Sequence, residues 1–485
     1  MIRVAYHPLV GEDQASRPEP NLTRIADEAQ PSIGVAISGG GVRAAFFALG
    51  ALLYLVHSGL HCRVRLISSV SGGSIVNAAI ALNGDFSESE AEAFGRLVGR
   101  IVRRMANKGI FFFAGVLKTT LGLLGFLVAF SVYATVQAGW RWSTLWVLAL
   151  APYFMVLILM FRNVMQFFVY NDFLAHVSRR RGFIFPRMAN LPASTVAHVL
   201  CATELTSGQP FYMSREMVMS PFYGRGLPKI SLAGAVYASA AFPVGFPPFR
   251  LSSKRLSLVN GRDDEPPRNL WLSDGGVFNN LGTETFNPGN SGAQIFLPDP
   301  SLTIIPRVDL QLVVNASSPP KKVVLSSLLV GKTTLRIMSV LYENTLRPRV
   351  QRLMEDQARK DGPIVVDISE SPVELADRIS GKRLQSDPTF IRAVDTREAL
   401  REVLRDYEWK VYSDRAARTK TVLSAVGRTA AVRLIRLGYL DTAVACHSHL
   451  GTQGINAVPD EGWFKNLVDD KLSPQQLVAP AAPTK

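Results

Sequence analysis

The 485-residue chain is poor in the features that usually announce a redox, metal or nucleic-acid role. Its three cysteines, Cys62, Cys201 and Cys446, are far apart and form neither a CxxC pair nor a metal-ligand spacing. They read as buried small apolar residues in a reducing compartment. There is no HExxH or other ligand cluster, so no metal or organic cofactor is implied. The first 30 residues carry mixed charge and prolines without the apolar core of a signal peptide, so the N-terminus is expected in the cytosol. Gly331-Lys332-Thr333 resembles the end of a phosphate loop, but Ser326 stands where the leading glycine belongs and no strand precedes it, which excludes a nucleotide site. Internal repeats are absent. Acidic residues are scarce relative to basic ones, 39 against 53, for a formal charge of +14. Without a basic and aromatic recognition motif this excess does not point to nucleic acid; an anionic membrane surface or a basic cytoplasmic face remains.

What the chain does have is a serine at a tight turn. Ile67-Ser68-Ser69-Val70-Ser71-Gly72-Gly73-Ser74 follows an apolar run and leads into Ile75 to Ile80, which reads as strand, turn and helix. A serine so placed presents its hydroxyl beside the N–H groups of a helix N-terminus. The elbow pattern carries glycine two before and two after the serine; Gly73 fits, and Ser69 replaces the other. Earlier, Gly39-Gly40-Gly41 follows Ile33 to Ile37 and opens a helix. Three glycines let N–H groups turn towards one point, which is what an oxyanion hole requires. Later, Asp274-Gly275-Gly276 follows Leu270-Trp271-Leu272, an aspartate at a strand end that is a candidate base. Two strand-turn-helix units between Ile33 and Asn83 predict a doubly wound α/β domain.

These blocks, in this order, resemble the patatin-like phospholipases. Ala202 to Pro210 looks like that family's strand-turn-strand, and Ala238-Ser239-Ala240-Ala241-Phe242-Pro243 like its small-residue helix end. The resemblance spans about Ile33 to Ser317 and is interrupted once; its departure is Ser69, which bears on the tightness of the elbow. It implies a patatin-like sheet with helices on both faces and a catalytic dyad of Ser71 and Asp274 acting through an acyl-enzyme. Gly39, Gly40, Gly41 and Gly72 would supply the oxyanion hole, with Gly73, Gly275 and Gly276 in support. Arg43 would brace the glycine loop or meet lipid phosphate, with a purely structural salt bridge an equal alternative.

The interruption is the second strong signal. Thr119 to Trp140 is 22 residues without a charge, and after Arg141 the stretch Trp142 to Phe161 is another 20. About 20 residues cross a hydrocarbon layer, and Trp140-Arg141-Trp142 has the character of an interfacial turn. A transmembrane hairpin is expected; two buried helices or a re-entrant segment are the alternatives. Arg96, Arg100, Arg103, Arg104, Lys108 and Lys118 on one flank, and Arg162, Arg179, Arg180, Arg181 and Arg187 on the other, outnumber the single Arg141. Both flanks, and with them the catalytic halves, are expected in the cytoplasm, at a bacterial inner membrane or its equivalent.

The expected partition is an N-terminal segment at 1–30, patatin-like parts at 31–108 and 166–320 around a hairpin at 109–165, a helical region at 321–476 and a tail at 477–485. Amphipathic helices are expected over Ser326 to Lys360 and Thr419 to Leu437, the latter basic through Arg428, Arg433 and Arg436. The function expected is a membrane-anchored lipid acyl hydrolase of phospholipase A or lysophospholipase type, acting on membrane phospholipid or another acyl-ester lipid. An acyltransferase using the same serine, or an inactive lipid-binding scaffold, are the alternatives. A serine-histidine-acid triad fits poorly: of His7, His57, His61, His176, His198, His447 and His449, none follows the acid within the core block. Oligomeric state is not legible.

Overall fold

The computed structural model describes residues 31–110, 169–178, 186–243, 246–259, 266–286, 306–317, 330–357, 362–421, 423–452 and 458–478, with isolated helical positions at Gly125, Ala129, Tyr133 and Val136. The expected N-terminal segment and nearly all of the hairpin lie outside the described residues. Among the described residues, no helix is long and apolar enough to cross a membrane.

The chain enters through β1 (Ile33–Ile37), an unbroken apolar run that is buried throughout, as a central parallel strand must be. It continues into α1 (Gly41–His57), then β2 (Val64–Val70), α2 (Gly72–Asn83) and α3 (Ala91–Lys108). Beyond the undescribed segment come β3 (Ala197–Glu204) and β4 (Gln209–Met213), the antiparallel pair read from the sequence as strand-turn-strand. Then follow β5 (Val218–Ser220), β6 (Gly224–Gly226), α4 (Leu232–Ser239), β7 (Phe249–Ser252), β8 (Asn269–Asp274), the single turn α5 (Gly276–Asn279) and β9 (Leu310–Asn315).

These strands form one ten-stranded mixed sheet, completed by β10 (Ile364–Asp367), in the order β10-β9-β1-β2-β3-β4-β5-β6, with β8 bridging β3 and β7. The five strands from β10 to β3 are parallel, and the rest pair antiparallel. Alternation along β1 divides the core between the two faces. Ile33, Val35 and Ile37 belong to the larger cluster with α1 and α2, and Ala36 to a second with Leu66, Val199 and Val313. Helices cover both faces, in keeping with the α/β expectation.

The region beyond residue 320 is mostly helical, as expected: α6 (Val330–Asp356), α7 (Pro372–Ser380), α8 (Pro388–Val403), α9 (Asp406–Ala417), α10 (Arg428–Leu450) and α11 (Glu461–Asp469). It is also part of the same body. Its strand β10 pairs with β9, and α10 packs into the larger core beside α1. The second amphipathic helix thus begins later and runs further than its periodicity suggested. It is a core helix, because Ala431, Leu434, Ile435, Leu437, Gly438 and the residues after them are buried. Its arginines do not form a lipid-facing stripe: Arg436 lies over the Tyr412 and Trp409 rings, and Arg433 over Tyr412.

Candidate active site

The site forms where two strands meet end to end. On the edge of β3 opposite β4, Val70 of β2 pairs with Cys201 and Asp274 of β8 pairs with the next residue, Ala202. Parallel β2 and antiparallel β8 therefore point their C-terminal ends at one another. Ser71 and Asp274, far apart in the chain, arrive at the same spot. The Ser71 hydroxyl lies beside the Asp274 carboxyl, close enough to favour its ionised form.

Ser71 sits at φ 51° and ψ −117°, a backbone conformation that costs a non-glycine residue about 1–3 kcal/mol and persists only where its surroundings enforce it. Ser239, at the end of α4, enforces it. Its carbonyl accepts from Ser71 N–H at 3.2 Å and from Gly275 N–H at 3.2 Å, tying both loops to one group. Its hydroxyl accepts from Ser71 N–H at 3.1 Å and donates to the Cys201 carbonyl at 2.6 Å. The Ser71 carbonyl accepts from Ser74 N–H at 3.0 Å.

Ser69, the departure from the elbow pattern, is an ordinary strand residue, paired with Ile37 on one side and Leu200 on the other. Its hydroxyl donates to the Val199 carbonyl at 3.2 Å and accepts from Asn77 at 2.8 Å and from the Ser74 hydroxyl at 3.1 Å. The elbow is closed around the extra hydroxyl by this small polar network.

The glycines are required by close approach. A Cβ at Gly72 would lie 2.1 Å from the Gly41 carbonyl oxygen, so the first turns of α1 and α2 abut and their N–H ends converge. At Gly73 it would lie 2.6 Å from Ile37 Cγ2, and at Gly275 2.4 Å from the Cys201 carbonyl. Gly40 and Gly41 have φ of 144° and 61°, which a side chain would oppose. Gly39 stands beside the serine, where an added Cβ would be 3.2 Å from Ser71 Cβ, yet its N–H already donates to the Asn280 carbonyl at 2.9 Å. Of the four candidate oxyanion donors, Gly40, Gly41 and Gly72 have N–H groups that bond to no described residue.

Asp274 is 1% exposed. Burial pushes its carboxyl up to about 6, against the opposing pull of the hydrogen bond from Gly276 N–H, at 2.7 Å, and of the neighbouring Ser71 hydroxyl. A carboxylate poised near neutrality beside a serine hydroxyl is equipped to take that proton.

Arg43 has a bracing position. Buried in the first turn of α1, it donates through Nε to the Ala316 carbonyl at 2.9 Å, and through its Nη1 to the carbonyls of Ala417 and Thr419 at 3.3 and 3.0 Å. Burial lowers its pKa to about 10, partly offset by Asp367. It thus links the glycine loop to the end of β9 and to the C-terminal helices.

Among the described residues no histidine is bonded to Ser71 or Asp274. His57 meets the Tyr439 hydroxyl, His198 the Asn77 side chain, and His447 the Thr452 carbonyl. Nor do three His, Cys, Asp or Glu side chains converge there to hold a metal ion. Two residues the sequence reading did not single out matter at the site. Ser239 lay within a block noted only for its small residues. Asn280 receives Gly39 through its carbonyl and donates to the Ser317 hydroxyl at 3.0 Å.

Residues 35–287, just over half of the chain, match the family described as patatin-like phospholipase. The protein belongs to that family. The enzyme class read from the sequence, a lipid ester hydrolase, is the class of these patatin-like phospholipases. The matched stretch runs from β1 past the Asp274 loop and takes in every candidate site residue of this patatin-like chain. No curated protein matches it. Among solved structures it is similar to human GIVD cytosolic phospholipase A2, with 13% identity and a TM-score of 0.42 over 91% of this chain. The chain spans 62% of the length of that structure.

Proposed function

We propose that the protein is a membrane-anchored serine acyl hydrolase of phospholipase A or lysophospholipase type. The observation that carries this reading is the meeting of Ser71, on an elbow held at positive φ, with the buried Asp274 where β2 and β8 end against β3. Ser71 Oγ attacks the carbonyl carbon of a lipid ester as its proton passes to Asp274. The oxyanion forms against the N–H groups of Gly40, Gly41 and Gly72, where each such donor contributes about 3 kcal/mol in comparable sites. Collapse expels the lipid alcohol, which takes the proton from Asp274. Water then attacks the acyl-enzyme with Asp274 again as base, and the fatty acid leaves.

The anchor is the hairpin read within 109–165, with the site on the cytoplasmic side. Its support is the charge-free length of the two stretches and the arginines that flank them. Tyr133 and Val136, helical positions with 62% and 74% exposure, add apolar side chains turned away from protein contacts. A tethered site draws its substrate from the bilayer without carrying an acyl chain through water.

The deciding measurement is fluorophosphonate labelling of the detergent-solubilised protein. Wild type is expected to label, Ser71→Ala not at all, and Asp274→Asn far more slowly. Labelling that survives Ser71→Ala would overturn the reading.

A further inference from the structure

The long helix α6 reaches the site from outside the stretch that matches the family. Leu346, Val350, Leu353 and Met354 pack it against the second core, and Arg349 pins it by an ion pair to Glu284 at 3.3 Å and by a position 5.4 Å from the Phe278 ring centre. Both partners belong to the segment just after Asp274. Two turns before Arg349 on the same helix, Tyr342 lies against the Asp274 loop: a Cβ at Gly276 would be 2.6 Å from Tyr342 Cε1, and the Phe242 ring is 5.5 Å away. Gly276 is also the residue whose N–H holds Asp274 Oδ1.

The Tyr342 hydroxyl is buried and has no hydrogen-bond partner among the described residues. A phenol shut away from water normally finds an acceptor, and its absence beside a candidate nucleophile and base calls for an explanation. Burial first, and then the negative charge of Asp274, raise the Tyr342 pKa, so the group is a donor at any working pH. Ile337, on the preceding turn, and Leu341, next to Tyr342 in the chain, are exposed apolar residues that suit a lipid neighbour better than water.

Resting on the Ser71–Asp274 reading, we propose that Tyr342 Oη donates a hydrogen bond to the alcohol-side oxygen of the lipid ester bound at Ser71. Tyr342 approaches from the Asp274 side of the pair, from which the proton returns to the departing alcohol. The N–H groups of Gly40, Gly41 and Gly72 await the carbonyl oxygen instead. In this arrangement α6 is a wall of the substrate site, and Tyr342 selects for a lipid that leaves as an alcohol.

The test compares wild type with Tyr342→Phe, which keeps the ring against Phe242 and Gly276, on three probes: lysophosphatidylcholine, a p-nitrophenyl ester of the same acyl chain, and a fluorophosphonate. With lysophosphatidylcholine the variant is expected to lose about tenfold in kcat/KM, the worth of one neutral hydrogen bond. The p-nitrophenyl ester, whose leaving group needs no donor, and the fluorophosphonate, which expels fluoride, should react at wild-type rates. An unchanged lysophosphatidylcholine rate, or an equal loss with all three probes, overturns the proposal while leaving Ser71 labelling intact. Failure of wild type to label would instead strike at the dyad itself. Should Tyr342→Phe misfold, 3,5-difluorotyrosine at 342 keeps the shape and strengthens the donor; it should alter only the lysophosphatidylcholine rate, and no alteration refutes the role.

Discussion

Asp274 shows how one residue combines two opposed demands. Its burial raises the carboxyl to about 6, and the bond from Gly276 N–H and the neighbouring Ser71 hydroxyl stop it rising further, so the ionised form is available at neutral pH. A base must be unprotonated to act, so kcat/KM for a soluble ester is expected to rise with pH through about 6 and level off above it. An acid limb centred near 4, or one that persists in Asp274→Asn, would remove the aspartate from that role. The same shift sets a cost in stability. The folded chain holds this proton more tightly than the unfolded chain, so stability falls as pH climbs from about 4 to about 6, and the loss, about 3 kcal/mol, is complete above that. Asp274→Asn is therefore expected to be inactive yet more stable than wild type at pH 8, with the difference vanishing at pH 4. Thermal melts at the two pH values check that the inactivity is not unfolding.

At the scale of elements, the α1–α10 crossing holds the glycine loop in place. A Cβ at Gly50 of α1 would lie 2.1 Å from the Ile435 carbonyl oxygen, and one at Gly438 of α10 would lie 2.0 Å from the Phe47 carbonyl oxygen. The backbones touch at both points, and α1 begins in the glycine loop. Gly438→Ala is expected to force the helices apart and destabilise the fold by about 1–3 kcal/mol, seen as a lower denaturant midpoint; an unchanged midpoint would mean that the crossing has room to give. This contact explains what was and was not legible in the sequence. Local patterns announced β1, β2, the two glycine-rich turns and the strand before Asp274, because each is written in adjacent residues: a short apolar run followed by glycines. The meeting of β2 and β8 on one edge of β3 is a long-range fact, and the clamp by Ser239 is its consequence, so neither had a local signature. The burial of α10 was hidden by its arginines, whose stems and rings of contact, Arg436 over Trp409 for one, read from sequence as a solvated face. β10 is four residues long, too short to stand out among helices.

From Ser32 onward the chain is built on a single sheet to which its last third contributes a strand and a core helix, so the catalytic residues and the C-terminal region share one body. Charge decides how that body would lie on a membrane. In the proposed hairpin the basic residues stand at the two ends of the 109–165 stretch and Arg141 alone falls at its turn, so the positive-inside rule would set the flanks and the site on the cytoplasmic side. The native cysteines make this testable with one substitution, because Cys62, contrary to its expected burial, is exposed on the catalytic body whereas Cys201 and Cys446 are buried. In intact cells expressing Arg141→Cys, a membrane-impermeant maleimide is expected to modify position 141 and leave Cys62 untouched, and permeabilisation should expose Cys62. Reaction of Cys62 in intact cells would invert the topology. If neither site reacts until the cells are opened, and alkaline carbonate then releases the protein, the two apolar stretches do not span, and the phospholipid must reach Ser71 from a surface on which the protein merely rests.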